Sequence, residues 1–279
     1  MARTLLAVHA HPDDECIGTG GVLARYAAEG VRTVLVTCTD GAVGEISDPT
    51  LASPENLVEV RSGELDEAVR ILGVGRLVKL GYRDSGMAGT PDNQDPRSFL
   101  QTDFSSALAR VVQVVREEQP QVMVTYDENG NYGHPDHIRA HQVAVAAFSA
   151  ASDGSRFPDA GVPWTVAKLY YSVVPRSALK VFAQRLRAAG VESPFTEVSE
   201  TAVPFGVPDE QVTCMVDVSR YVDQKRRALQ AHRTQMGADQ FFMRIPPQLF
   251  DEMFGRETFQ LAQSAAGGIS RETDLFEGL

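Results

Sequence analysis

Two short clusters of histidine and carboxylate side chains stand out in this sequence. The first begins at His11 and reads His-Pro-Asp-Asp-Glu, and the second begins at His134 and reads His-Pro-Asp-His. Pro12 biases His11 toward extended backbone, so that His11 and Asp14 can turn toward one point. His134 and His137 are three residues apart and can face the same side of a helix. Imidazole and carboxylate groups that converge in this way are suitable ligands for a divalent metal, and zinc is the first candidate.

Each cluster lies between a strand-type apolar run and a predicted helix. The runs are residues 4–9 and 122–125, and the predicted helices begin at about residues 22 and 135. We therefore expect the first cluster in a loop and the second at the start of its helix. In an open parallel sheet, loops of this kind meet at the carboxyl edge, where ligands bind. The alternative for the acidic residues is a plain helix cap, but two such clusters together favour the metal site.

Strands and helices alternate through the first half of the chain. Further strands are predicted at 33–37 and 76–80, and helices at 58–72, with Gly73 placed to end it, and at 104–118. This repetition predicts an α/β fold with a parallel sheet and right-handed crossovers. The Gly-, Pro- and Asp-rich residues 81–103 are predicted to form a long loop, and loops of that length are usually functional or disordered.

The second half of the chain is less regular. Strands are predicted at 168–174 and 212–217 and helices at 177–189 and 221–233, while residues 191–210 have loop or edge character and residues 236–279 are irregular, with short helices. We expect one domain over residues 1–279. Residues 1–152 would be its catalytic core, and residues 153–279 an extension that shapes the pocket.

The overall composition excludes several classes of partner. The net charge is 26 − 37 = −11 and the sequence pI is near 5.0, which argues against nucleic acid and anionic membranes. We expect no targeting segment before the first strand, and no apolar run approaches the roughly 20 residues of a membrane span. The three cysteines, Cys16, Cys38 and Cys214, lie far apart in the sequence, so we expect reduced thiols and not a disulfide framework or a cysteine-based zinc site. We expect a cytoplasmic protein, and the sequence allows either a monomer or a homo-oligomer.

The paired motifs resemble those of the LmbE-like, or PIG-L-like, family of zinc-dependent de-N-acetylases. Residues 83–90, 163–166 and 231–235 are similar to the mycothiol branch, which holds N-acetylglucosaminyl-inositol deacetylases and mycothiol S-conjugate amidases. The resemblance implies a Rossmann-like fold, with helices on both faces of a parallel sheet. It also implies amide hydrolysis on an amino sugar. One zinc ion per chain is expected, with another divalent ion such as Fe²⁺ as the alternative.

The resemblance and the residue types together suggest roles for the two clusters. An open catalytic zinc has three protein ligands, for which His11, Asp14 and His137 are the candidates. Asp13 adjoins the ligand Asp14 and is assigned as general base. His134, as imidazolium, would stabilise the oxyanion and protonate the leaving amine. The alternative, with His134 as ligand in place of His137, is disfavoured by the family pattern.

Five further residues complete the expected site. Asp136 would hold the tautomer of His134 and raise its pKa. Tyr132, by resemblance, would be a mobile oxyanion donor, although a loop tyrosine often only packs. Arg61, Glu45 and Asp84 match family positions that hold sugar or inositol hydroxyls. We expect Arg61 and Asp84 to lie away from the metal motifs, on a helix and a long loop.

Two other classes of function compete with amide hydrolysis. Gly18-Thr-Gly20 after the first strand invites a dinucleotide-binding oxidoreductase, but the third glycine is missing and the acidic cluster would repel a pyrophosphate. A zinc-binding module without catalysis would not need an open coordination position beside a base. Within the family, the space filled by Gly18 and Thr19 favours the deacetylase. Residues 156–161 and 240–242 look closer to the amidase, and a deacetylase of another amino sugar also fits.

Overall fold

One mixed sheet runs through the protein. The computed structural model describes residues 3–192, 205–265 and 271–279. Its strands are, in chain order, β1 (Thr4–His9), β2 (Arg32–Thr39), β3 (Arg76–Tyr82), β4 (Val122–Tyr126), β5 (Lys168–Ser172), β6 (Cys214–Asp217) and β7 (Arg256–Ser264). Their order in the sheet is β3-β2-β1-β4-β5-β7-β6. Neighbours from β3 to β5 pair in parallel, and β7 pairs antiparallel with both β5 and β6.

Helices cover both faces of this sheet, as the α/β prediction required. They are α1 (Asp14–Gly18), α2 (Gly20–Ala28), α3 (Leu57–Leu72), α4 (Phe104–Glu118), α5 (Gly130–Gly133), α6 (Pro135–Ala150), α7 (Arg176–Ala188), α8 (Val222–Ala231), α9 (Phe241–Arg244) and α10 (Pro247–Phe254). The predicted α4 is confirmed to the residue, and α3 begins one residue early. Gly73 ends α3 in the left-handed conformation, with φ 76°, as a C-terminal glycine does.

The core has two apolar layers because successive side chains of a buried strand point to opposite faces. On β1, Leu5 belongs to the layer that packs against α2, α3 and α8. Its neighbour Leu6 belongs to the layer that packs against α4 and α6. All six residues of β1 are buried. The strand that leads into the first cluster is therefore held rigidly from both sides.

Two local predictions differ from the structure. The first cluster is not all loop, because Asp14 already begins the short helix α1. Residues 236–279, predicted as irregular, contain the nine-residue strand β7 between β5 and β6. Most of the predicted loop at 191–210 lies outside the described residues. The described part of the chain contains no helix that is both long enough and apolar enough to cross a membrane.

The sheet does not stop at residue 152. β5, β6 and β7 extend it beyond β4, and the predicted extension thereby shares its backbone hydrogen bonds with the predicted core. The division at that residue stays a prediction. Side chains of the second half, among them Phe182, Phe241 and Met253, line a cavity at the carboxyl edge of the parallel strands. The cavity volume is about 1090 Å³.

Candidate active site

The two clusters meet because β1 and β4 are neighbouring parallel strands. Leu5 pairs with Val122 and Ala7 with Val124, so both strands end at the same edge of the sheet. The loop and α1 follow β1, and α5 and α6 follow β4. All of the predicted site residues but Asp136 line the cavity at this edge. The two clusters therefore lie at one edge of the sheet, and the roles of their residues stay predictions.

Three side chains converge with the spacing that a small cation requires. His11 Nδ1 lies 3.2 Å from His137 Nε2 and 3.3 Å from an Asp14 oxygen, and the other Asp14 oxygen lies 3.3 Å from His137 Nε2. Ligands about 2.0–2.1 Å from a tetrahedral zinc are about 3.3 Å apart. Two imidazoles and a carboxylate are also a donor set that zinc accepts. The residues present therefore fit a divalent ion.

Buried carboxylates surround the far side of the His11 ring. His11 Nε2 lies 3.2 Å from Asp136 Oδ2 and 3.6 Å from Asp84 Oδ1. Ser85 donates to Asp136 through its backbone N at 2.8 Å and through its hydroxyl. Burial by itself would lower the pKa of His11, but Asp136, Asp14 and Asp84 raise it well above its ordinary value. This arrangement directs Nδ1 of His11 toward the other two donors, as carboxylates behind ligating histidines do.

The expected pairing of Asp136 with the His134 side chain is wrong. The Asp136 carboxylate contacts His11 and Ser85, while its backbone N donates to His134 Nδ1 at 3.1 Å. The physical reason is that His134 is the N-cap of α6 and accepts from one of the free N–H groups of the first turn. The proton of the ring is thereby left on Nε2.

The charge expected for His134 also differs from the structure. Burial, followed by the neighbouring His11 and His137 rings, lowers the pKa of His134 to about 4. An imidazolium would place a second N–H against the donor N–H of Asp136. His134 is therefore a neutral ring, whereas the sequence predicted an imidazolium.

Asp13 stands beside the donors on unusual backbone. Its φ is 111°, a region that residues other than glycine rarely adopt. Its carboxylate lies 3.2 Å from Nη2 of Arg61. Burial raises the pKa of Asp13 to about 6 against the opposing charge of Arg61, and the neighbouring Asp14 adds to the increase. A carboxylate with such a pKa suits proton transfer near neutral pH.

Arg61 and Asp84 do not lie away from the metal motifs, and that expectation is corrected. Arg61 is buried on α3, where it donates to the carbonyls of Pro12 at 2.6 Å and Gly41 at 2.9 Å as well as to Asp13. Asp84 is buried behind His11. The packing of α3 and of the loop after β3 brings the Arg61 and Asp84 side chains into contact with the first cluster. Glu45, in contrast, is an exposed residue at the cavity.

Tyr132 lies at the cavity with 45% of its surface exposed. Its ring centroid is 4.9 Å from that of His137. It follows Asn131, whose φ is 64°, and Gly130, whose φ is 60°. The half-exposed ring next to the donors is compatible with the oxyanion role, which stays a prediction.

Tyr126 is a site residue that the sequence reasoning missed. Its hydroxyl donates to Asp14 Oδ2 at 2.7 Å and accepts from the backbone N of Ala10 at 2.7 Å. Its ring stacks on His137 with centroids 4.2 Å apart. The available signal was its place as a polar aromatic at the end of β4, directly before the second cluster. Ser85 was missed as well, although it lies in the long loop predicted to be functional.

Comparisons with known proteins agree with this geometry. Residues 6–148 match the family model described as PIG-L, GlcNAc-PI de-N-acetylase. A 1D-myo-inositol 2-acetamido-2-deoxy-alpha-D-glucopyranoside deacetylase of Geodermatophilus obscurus is 46% identical over all of this chain and 98% of its own length. A deacetylase of the same name, numbered 1, from Catenulispora acidiphila is 45% identical over all of this chain and 90% of its own.

A solved structure shares the fold. It is the N,N'-diacetylchitobiose deacetylase of Pyrococcus horikoshii in complex with an inhibitor, with a TM-score of 0.66 and 21% identity over 98% of this chain and 89% of that one. At this identity the likeness supports the architecture alone. The family match and the full-length relatives carry the assignment further: the chain belongs to the PIG-L family of GlcNAc-PI de-N-acetylases.

Proposed function

We propose that this protein is a zinc-dependent hydrolase that removes the N-acetyl group from N-acetylglucosaminyl-inositol. The observation that carries the proposal is the set of three donors, 3.2–3.3 Å apart, with the Asp13 carboxylate beside them in an open cavity. The names of the 46% and 45% identical relatives support this amino-sugar substrate. Both relatives match over the whole of this chain, so the likeness extends to the pocket-forming second half.

The donors His11, Asp14 and His137 would hold the ion. When bound, a zinc ion supplies Lewis acidity for the amide carbonyl and lowers the pKa of water. Zinc is favoured by the two imidazoles, and Fe²⁺ is the alternative for the same donors. Asp136 and Asp84 would act behind His11 by holding its ring in the ligating orientation.

Asp13 would be the general base. It takes a proton from water as the water oxygen adds to the acetyl carbonyl carbon, and the C–N bond breaks as the nitrogen regains a proton, which gives acetic acid and the free amine. Since His134 is neutral, we assign to Asp13 the return of that proton to the leaving nitrogen. His134 would donate from Nε2 to the developing oxyanion, and Tyr132 would donate from the cavity wall. Glu45 would contact the hydroxyls of the sugar-inositol.

The variant Asp13→Asn tests this assignment. Asparagine keeps the shape of the side chain and tolerates a positive φ, but it accepts no proton. We expect metal content and melting temperature to match the parent, and kcat to fall by roughly 10² or more. Asp223→Asn, which changes a carboxylate with 89% of its side chain exposed, is the control. A fully metal-loaded D13N enzyme with kcat within threefold of the parent would refute the base assignment.

The substrate is tested by a direct comparison. Purified enzyme loaded with zinc should release acetate from N-acetylglucosaminyl-inositol with a higher kcat/KM than it cleaves a mycothiol S-conjugate. The amidase motifs in residues 156–161 and 240–242 make the conjugate the right competitor. A higher kcat/KM on the conjugate would assign the protein to the amidase branch instead.

A further inference from the structure

A second cluster of ligand-type side chains lies directly behind the site. Glu15 and His232 are both fully buried, and Glu15 Oε1 lies 2.7 Å from His232 Nε2 and 3.0 Å from the Cys16 thiol. Donors around a zinc ion would be about 3.3 Å apart or more. The short contact of the pair is therefore a direct hydrogen bond, which leaves no room for an ion between the two groups.

The other oxygen of Glu15 reaches the candidate base. Glu15 Oε2 accepts from the backbone N of Asp13 at 2.9 Å, and the Asp13 carbonyl accepts from the backbone N of Cys16 at 3.0 Å. Asp13 has a φ of 111°. Such backbone is strained for a residue other than glycine and persists only where the surroundings enforce it. The Glu15 carboxylate is one of the contacts that enforce it, and φ of Asp13 decides where its side chain points.

His232 is itself held rigidly. It follows the last residue of α8. Two residues later, Thr234 donates to Glu64 of α3 through its backbone N at 2.9 Å and its hydroxyl at 2.6 Å. The segment after α8 is thereby fixed against α3, the helix that also carries Arg61. A contact from this segment to Glu15 can therefore transmit a defined position.

We propose that His232 is a positioning residue for the general base Asp13, and that it acts through Glu15. The His232 Nε2–H holds the Glu15 carboxylate, and that carboxylate holds the backbone N–H of Asp13 in the conformation that aims the base at the water. The proposal rests on the role of Asp13 in the proposed function. It gives the C-terminal half of the chain a part in the chemistry.

A double-mutant cycle tests the proposal with zinc-loaded protein and N-acetylglucosaminyl-inositol. The variants are His232→Leu, which removes the donor, His232→Gln, whose amide N can replace Nε2, Asp13→Asn, and the D13N/H232L double variant. We expect H232L to lower kcat by about 10- to 100-fold, the range for residues behind a catalytic group, with KM and zinc content within twofold of the parent. H232Q should recover most of this loss.

The kcat of the double variant decides between the two outcomes. If His232 acts through Asp13, H232L should slow D13N no further, because residues that act as a unit are not additive. Val111→Ala is the control for a general loss of stability, since it removes buried methyl groups of α4 from the opposite core layer and should lower the melting temperature while kcat stays near the parent value. Should H232L fail to fold, His232→Asn replaces it, because its amide is too short to reach Glu15.

Three results would overturn the proposal: an equal loss from H232L in the parent and in D13N, an H232Q enzyme as slow as H232L, or an unchanged kcat in H232L. A failure of the proposed function looks different. In that case D13N itself retains its rate.

Discussion

Tyr126 joins two of the three candidate metal donors, because its hydroxyl donates to Asp14 and its ring stacks on His137. Removing the hydroxyl in Tyr126→Phe should leave the stacking and take away one of the two hydrogen bonds that Asp14 Oδ2 accepts, the other coming from the backbone N of His11. We expect the dissociation constant for zinc to rise about 10- to 100-fold, the usual effect of losing a contact behind a ligand.

Zinc titration of chelator-treated protein measures this change. Tyr171→Phe is a suitable control, because the ring of Tyr171 packs against His141 and lies outside the donor set. Equal zinc affinities for Y126F and the parent would show that Asp14 needs no help from this hydroxyl.

Arg61 and Glu45 should separate into two kinds of effect. The Arg61 guanidinium contacts the Asp13 carboxylate and the Pro12 carbonyl, so Arg61→Met should lower kcat by about tenfold or more through the base. Glu45 is exposed at the cavity, so Glu45→Ala should raise KM and leave kcat nearly unchanged. Steady-state kinetics at saturating and limiting substrate distinguish the two. A change in KM alone for R61M would return Arg61 to a pure substrate-binding role.

Residue types and spacing predicted the two clusters well, but not the direction of every side chain. The choice of Asp136 between His134 and His11 depends on the N-cap geometry of α6, which the motif does not encode. The approach of Arg61 depends on how α3 packs over the first loop. Both are tertiary effects, and neither leaves a local pattern in the sequence.

At the scale of elements, the junction between α5 and α6 sets the position of His137. A Cβ on Gly130 would lie 2.6 Å from the Cβ of His137 and 2.7 Å from the backbone N of Ile138, and φ of Gly130 is 60°. Gly130→Ala should therefore displace the start of α6. We expect unfolding free energy to fall by about 1–3 kcal/mol and zinc affinity to fall with it.

Gly63→Ala is the matched substitution for comparison. Gly63 lies inside α3, and its added Cβ would meet open space. It should stabilise the protein by about 0.5–1 kcal/mol and leave zinc binding unchanged. Urea unfolding and zinc titration of both variants check the pair. Unchanged zinc affinity in G130A would contradict the role given to this junction.

Local signals explain which elements were predictable. Helices α3 and α4 have apolar residues at helical spacing along their length. Gly73 marks the end of α3 and Asp103 marks the start of α4, so these bounds follow from the sequence. The sequence of strand β7 lacks local signals of this kind. Its buried positions are Glu257, Phe259 and Leu261, and a buried charge at the first of them makes sense only with its partners known.

Across the whole molecule, Glu257 ties the two halves of the chain together. Its carboxylate accepts from the backbone N of Gly21 at 2.7 Å and of Val22 at 2.8 Å, in the first turn of α2, and contacts Lys225 at 2.6 Å. Carboxylates at helix N-termini are stabilising. These partners lie 236, 235 and 32 residues away in the sequence. Pattern analysis of short windows could not have joined them.

The same continuity predicts that metal binding stabilises the entire fold. The donors lie on α1 and α6 and in the loop after β1, so the set exists only when the central strands are paired. At a free zinc concentration about 100 times the dissociation constant, binding adds about 2.7 kcal/mol. For a chain of this size that corresponds to a rise of about 5 °C in melting temperature over chelator-treated protein. Far-UV circular dichroism and the fluorescence of Trp164, which donates to the Pro120 carbonyl at 2.7 Å, should report the same shift.

The variant His137→Ala should abolish the rise in melting temperature, and the variant G63A should keep it in full. A rise of equal size in H137A would place the stabilising ion at another site, while a shift seen by only one probe would mean that the two halves unfold separately.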